Sequence, residues 1–273
     1  RFDGKGGIGL LAKAVIAGEA NSSWSLLNAK VTADSNVIAN IDTGTATQEP
    51  QLTMLSTDIN HWLPSLVQKY YAPMFACTDI SEAFSLFSKF RILCATRKGT
   101  SGVESLNDSV ITLLSNANLI KGNSRMYHAQ PIMISENDYK LGLFNGDVGL
   151  IWRNDSGHLM AVFEQAQEVG AGAPLDENNE QEKVISYKWI MPSRLPKYTP
   201  VYAMTIHKTQ GSEFDHVTMV LPNQSDNRLL SKELLYTGIT RAKSLLSIAC
   251  NQSVWISGVQ REVKRHSGLK IGR

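Results

Sequence analysis

Residues 203–214 read Ala203-Met-Thr-Ile-His-Lys-Thr-Gln-Gly-Ser-Glu-Phe214, and an apolar run from Val217 to Leu221 follows almost at once. Thr205 and His207 can donate to a phosphate, and Lys208 adds positive charge beside them. Gln210-Gly211 predicts a turn that exposes backbone N–H groups, and Glu213 can accept from a sugar hydroxyl. A Thr-His-Glu array could instead mark a metal or hydrolytic site, but no second His or Asp stands at a ligand spacing, so no metal ligand is assigned.

Working outward, Arg91 to Thr96, Val217 to Leu221 and Leu245 to Cys250 are three nearly continuous apolar runs of strand length. Such runs predict strands covered on both faces. The first leads through a Gly-bearing loop into an amphipathic helix from about Val103 to Asn116, a strand-loop-helix unit of a parallel α/β sheet. Residues 8–17 have helical spacing and stop at Gly18. Residues 21–50, rich in Asn, Ser, Thr and Asp, hold only weak strand candidates, and Leu52 to Leu55 is a short strand. Thr57 or Asp58 caps a helix expected to run to about Tyr71 and to end at Pro73, and a second helix is expected from Asp79 to Ser88.

Between residues 125 and 200 the texture changes. Short β-like segments (Pro131 to Ser135, Asp147 to Trp152, Leu159 to Glu164, Val184 to Trp189) are separated by turn signals at Asn145-Gly146 and Asp155-Ser-Gly157. This predicts a small β-barrel at 125–200, inserted in an α/β domain made of 1–124 and 201–273. Residues 165–183 are acidic with few apolar side chains and read as a flexible loop.

The chain has 273 residues, 42% of them hydrophobic, enough for one large domain or a medium one with an insert. Cys77, Cys94 and Cys250 show no C-x-x-C or His pairing, which predicts buried thiols in a reducing compartment. No apolar run approaches membrane-spanning length and no signal peptide opens the sequence, so no membrane partner is expected and the cytoplasm is the expected location. The net charge is +2, but nine Lys/Arg against Glu233 and Glu262 give residues 228–273 an excess of +7. That basic tail fits nucleic acid, an acidic protein partner or plain solvation. The start at Arg1, without Met, suggests a fragment or a processed chain.

Three further stretches carry chemistry. In Leu234-Leu-Tyr-Thr-Gly-Ile-Thr-Arg-Ala-Lys243, Ser231 can cap a helix with Leu235 and Ile239 on one face, leaving Tyr236, Thr240 and Arg241 for a neighbour. Ile92-Leu-Cys-Ala-Thr-Arg-Lys-Gly-Thr-Ser-Gly-Val-Glu-Ser-Leu-Asn107 places Thr96, Arg97 and Lys98 in a loop before a helix N-terminus, suited to phosphate or simply exposed. Leu143-Phe-Asn-Gly-Asp-Val-Gly-Leu150 specifies a hairpin turn, with Asp147 in turn chemistry. The opening Arg1-Phe-Asp-Gly-Lys-Gly-Gly-Ile-Gly9 lacks the preceding strand of a dinucleotide loop, and no G-x-x-x-x-G-K-[ST] phosphate loop occurs in the sequence.

In this order the stretches resemble the RecD family of superfamily 1 DNA helicases, which supplies a subunit of exodeoxyribonuclease V (RecBCD); residues 203–214 and 234–243 resemble its fifth and sixth motifs. The resemblance implies a RecA-like parallel sheet flanked by helices, with an inserted SH3-like barrel. It implies ATP-driven 5′-to-3′ movement on single-stranded DNA in double-strand-break repair, beside RecB- and RecC-like subunits. ATP and Mg2+ would be held mainly by another motor domain, leaving none on this chain alone, which would then lack ATPase activity. Arg241 becomes the catalytic arginine finger; Arg1, Gln210, Gly211, Glu213 and Arg241 the nucleotide-facing set; and Thr96, Arg97, Lys98, Thr205, His207 and Lys208 the DNA contacts. A solitary RecD-like enzyme, the helicase half of a conjugative relaxase, and a non-enzymatic binding module remain open alternatives.

Overall fold

The continuous apolar runs become the centre of a parallel sheet. The computed structural model describes residues 7–28, 51–121, 125–166, 185–209, 211–224 and 229–262. In chain order the regular elements are α1 (Gly7–Ile16), α2 (Ala20–Asn28), β1 (Leu52–Leu55), α3 (Leu63–Leu66), α4 (Ile80–Lys89), β2 (Phe90–Cys94), α5 (Val103–Asn116), β3 (Gln130–Ile134), β4 (Val148–Arg153), β5 (Leu159–Ala166), β6 (Ile185–Ile190), β7 (Tyr198–Pro200), β8 (Ala203–Thr205), β9 (Phe214–Val220), α6 (Lys232–Ile239), β10 (Ala242–Ala249) and α7 (Gln252–Gln260). They fall into two compact units.

The first unit comprises the described residues of Arg1–Pro73, Ser85–Leu113 and Tyr202–Arg273. Its sheet runs β1-β10-β9-β2-β8 with every pair parallel. β2 is buried at all five positions and β9 at all but Asp215, as strands covered on both faces must be. Helices α1, α2, α6 and α7 pack on one another and on β1, β9 and β10. A parallel sheet flanked by helices is the RecA-like arrangement expected from the sequence.

One buried polar line crosses this core. His216 on β9 meets the Tyr70 hydroxyl at 3.0 Å and the Ser247 hydroxyl of β10 at 2.8 Å, with the Phe90 ring 5.1 Å away. Burial first, and the charge of Lys69 second, pull its imidazole down to about 3, so it stays neutral at neutral pH.

Two helical expectations need correction. Residues 21–28 lie in α2, not in a polar stretch with strand candidates. Its buried stripe is Ala20, Ser23 and Leu27, and Ser23 hides the periodicity because its hydroxyl accepts from the Trp255 indole at 3.0 Å. The single helix expected to Tyr71 is broken into a 3-10 turn (Ile59–His61), α3, a π-type turn (Val67–Tyr71) and another 3-10 turn (Ala72–Ala76). Asp58 does cap the first piece, accepting from Asn60 N. Pro64, which has no N–H, restarts the helix at its tolerated first turn, and the π-type turn sets both Tyr70 and Tyr71 against Phe90. The terminal strands β7 and β8 and helix α7, none anticipated, complete the element set.

The second unit comprises Met74–Phe84 and the described residues of Leu114–Val201. Its antiparallel sheet has the order β6-β5-β4-β3-β7 around a core of Ile132, Ile134, Leu143, Ile151, Ala161, Phe163 and Ile190. The expected turns are present: Gly146 and Gly157 both have positive φ, and Asp147 accepts from Phe144 N at 2.7 Å as turn chemistry. Among the described residues no ladder joins β6 to β7. Most of the acidic loop expected at 165–183 lies outside the described residues.

Candidate nucleotide- and DNA-facing site

In a parallel sheet the loops after the C-terminal strand ends gather at one edge, and β2 and β8 are neighbours paired as Cys94↔Thr205. The loops that follow them therefore start side by side. In the first, Thr96 and Arg97 carbonyls accept from Val103 N and Glu104 N at 3.1 Å, which folds the loop onto the first turn of α5. Gly102 makes this possible, because a Cβ there would stand 2.6 Å from the Lys98 carbonyl. Lys98 is exposed, and the Arg97 Nε–H donates to Glu104 at 3.0 Å in an ion pair open to solvent, worth about 1 kcal/mol at most.

In the second loop, Thr205 ends β8 half-buried, and the 3-10 turn Ile206–Thr209 presents His207 and Lys208 to solvent. Partial burial first, and the Arg97 charge second, lower the Lys208 ammonium. Among the described residues, no ion pair involves Lys98, His207 or Lys208, whereas Arg97 is paired with Glu104.

The nucleotide-facing candidates collect at the opposite, N-terminal ends of β9 and β10. Phe214 N donates to Arg241 O at 2.9 Å, which sets Glu213 and Arg241 beside the start of those strands. Arg241 lies just past α6, beyond the C-cap Thr240, rather than on the helix as expected. Ser231 caps that helix by accepting from Leu234 N at 3.3 Å, and Leu235 and Ile239 are fully buried on its inner face. Gly211 has φ +88°, the left-handed conformation that a non-Gly residue rarely adopts, and its turn is closed by Ser212 N donating to Thr209 O at 2.9 Å. Arg1 and Gln210 lie outside the described residues.

Residues 206–213 therefore run from the C-terminal end of β8 to the N-terminal end of β9, crossing the intervening β2. One short segment carries phosphate-suited side chains at its first half and nucleotide-suited groups at its second.

Asn107 and Arg91 escaped the sequence reading, and Thr240, expected to face a neighbour, instead touches Arg241. Asn107 on α5 uses its amide against both backbone groups of Ala203, donating to O and accepting from N at 3.0 Å each. That pins the edge strand β8. Arg91 is buried with its guanidinium 3.5 Å from the Phe87 ring centre and 4.9 Å from that of Phe214. Burial draws it down to about 10, so it remains a cation at neutral pH, wedged behind the residue that follows Glu213. Thr240 accepts from the Arg241 Nη2 at 3.3 Å. Neither Asn107 nor Arg91 has a local signature beyond its residue type.

Residues 200–249, from β7 to the end of β10, match the UvrD-like helicase C-terminal domain. The RecBCD enzyme subunit RecD of Haemophilus influenzae is 30% identical over 98% of this chain and 39% of its own length. That of Mycobacterium tuberculosis (strain CDC 1551 / Oshkosh) is 31% identical over 97% of this chain and 40% of its own. The chain belongs to the RecD-type superfamily 1 helicases, as their C-terminal part. It spans about two fifths of the length of these curated relatives. A Bacteroides Pif1 helicase in complex with ADP-AlF3 and ssDNA overlaps more loosely, at 17% identity and TM-score 0.34 over 72% of this chain and 50% of that one, too loosely for residue correspondences.

Among the described residues, no cluster of three or more His, Cys, Asp or Glu side chains could hold a metal ion, and no helix is long and apolar enough to cross a membrane.

Proposed function

We propose that this chain is the second motor half of a RecD-like, ATP-driven DNA helicase that moves 5′ to 3′ on single-stranded DNA. It would work in the cytoplasm beside RecB- and RecC-like subunits in double-strand-break repair and recombination, as the α subunit of an exodeoxyribonuclease V. The observation that carries this reading is the 206–213 crossing, which places His207 and Lys208 at one end of the sheet and Glu213, next to Arg241, at the other. Nucleotide contacts and DNA contacts on one short segment are what a motor needs to convert closure on ATP into displacement of a strand.

In this reading the triphosphate and Mg2+ are held mainly by another domain of the full-length polypeptide, because the sequence holds no G-x-x-x-x-G-K-[ST] phosphate loop. Arg241 supplies a fixed positive charge to the phosphoryl group as it transfers, and Glu213 accepts from the ribose. Arg1, Gln210 and Gly211 complete the nucleotide-facing side. Thr96, Arg97, Lys98, Thr205, His207 and Lys208 hold the DNA backbone through hydroxyl, imidazole and cation donors. The antiparallel unit is the SH3-like barrel of this architecture, a reading supported by its five-strand order and by the 3-10 turn Pro192–Arg194 before the last strand.

The test is the purified 273-residue chain incubated with ATP, Mg2+ and single-stranded DNA. It should show no steady ATP hydrolysis and weak DNA binding at most. Steady turnover would overturn the assignment of the triphosphate to another domain.

A further inference from the structure

The Arg241 side chain turns back over its own loop. Its Nε–H donates to Thr237 O at 3.2 Å and its Nη2 to the Thr240 hydroxyl at 3.3 Å. Its Nη1 donates to Ser212 O at 3.1 Å and, at the 3.5 Å limit, to Thr209 O. Each of these acceptors is neutral. A guanidinium held in this way is well oriented, yet among the described residues no carboxylate is paired with it. Hydrogen bonds to ionised oxygens are roughly twice as strong as bonds to neutral ones, so a phosphate can draw the group away.

The two carbonyls under Nη1 belong to the crossing segment. Thr209 is fully buried and its hydroxyl donates to Ile206 O at 2.6 Å, so the turn that displays His207 and Lys208 is one stiff piece with the Thr209 carbonyl. Ser212 follows the left-handed Gly211 and is exposed. The Thr209 carbonyl under Arg241 Nη1 thus belongs to the same turn as His207 and Lys208.

We propose that the Thr209 and Ser212 carbonyls, with the Thr240 hydroxyl, form a holding site that keeps Arg241 off the nucleotide until DNA displaces the 206–213 segment. Thr240 is then a positioning residue, and the holding site is the origin of DNA-dependent ATP hydrolysis. The inference rests on Arg241 acting as the finger. No bond to the nucleotide is made or broken by the holding site itself; it exchanges neutral acceptors for phosphate oxygens around one guanidinium.

Three variants of the full-length helicase test it, each assayed for ATP hydrolysis with and without saturating oligo-dT. Thr240→Val removes one acceptor while keeping the side-chain shape. It should raise the DNA-free kcat about 3- to 10-fold, the value of one hydrogen bond, and so shrink the stimulation by DNA. Ser212→Asp, at an exposed position that does not threaten folding, adds a carboxylate to the holding site. It should lower the DNA-stimulated kcat about 10-fold and leave the KM for ATP within about 2-fold, since only the finger's release is affected. Arg241→Ala should lose the stimulated rate altogether. If Arg241→Ala keeps that rate, the finger reading itself fails. If Arg241→Ala loses it while Thr240→Val and Ser212→Asp keep the wild-type stimulation ratio, the holding site alone is overturned. Loss of the stimulated rate in Thr240→Val without a rise in the DNA-free rate would also overturn it, because Thr240 would then be supporting the closed site.

Discussion

Partial burial first, and the charge of Arg97 second, lower the Lys208 ammonium, which is one of the proposed DNA contacts. Lys208→Ala in the full-length protein should weaken single-stranded DNA binding for all sequences alike. It should also reduce the salt slope of log K by about 0.7, the value for one phosphate contact on a single strand. A titration at several salt concentrations checks this, and an unchanged slope would remove Lys208 from the interface. A second residue-scale prediction concerns His216, whose imidazole is depressed to about 3 in the fold from an unfolded value near 6.5. The unfolded chain takes up the proton first, so the stability tied to His216 is complete above about pH 6.5 and falls as pH drops toward 3. Between pH 7 and 5 the loss is about 2 kcal/mol. Denaturant midpoints across that range should fall less steeply for His216→Phe than for the wild type, and equal slopes would contradict the assignment. His207, Lys208 and Arg241 were legible in the sequence because their types announce phosphate chemistry. The acceptors of Arg241 were not, because backbone carbonyls carry no residue signature. Nor did the sequence distinguish Cys77, half-exposed, from the buried Cys94 and Cys250, whose thiols burial pushes up to about 12.

At the scale of elements, the central strands β2, β9 and β10 were readable because burial on both faces writes an apolar run, and α5 and α6 because one buried face repeats at helical spacing. The short edge strand β8 was not, since three residues are too few for a pattern and its place is fixed from outside. Asn107 does that fixing through paired hydrogen bonds to Ala203. Asn107→Ala would leave both backbone groups of Ala203 buried without those bonds, at about 1–3 kcal/mol per group. A denaturant titration should show a loss of about 2 kcal/mol or more, together with weaker DNA binding because Thr205 ends β8 and His207 and Lys208 lie in the turn that follows it. Retained stability would mean that β8 is held by its ladder to β2 alone. α2 went unread for a related reason: the polar Ser23 occupies the centre of its buried stripe, donating to Ala20 O and accepting from Trp255, 232 residues away in sequence.

For the molecule as a whole, the RecD-type family was visible in the order of the motifs, with residues 203–214 and 234–243 decisive. What the order of motifs does not encode is that the two decisive stretches meet, through Phe214 N and Arg241 O and through the guanidinium on Ser212 O. Their meeting ties the edge of the parallel sheet that carries the proposed DNA contacts to the edge that carries the proposed nucleotide contacts by a single crossing of β2. The central claim is that Arg241 is the charge this domain contributes to ATP hydrolysis. ATP turnover by the full-length Arg241→Ala helicase on saturating single-stranded DNA, with DNA affinity measured alongside, tests it most directly. The account predicts a fall of roughly 10³-fold or more in DNA-stimulated kcat with DNA affinity retained. Turnover within a few-fold of the wild type would contradict it.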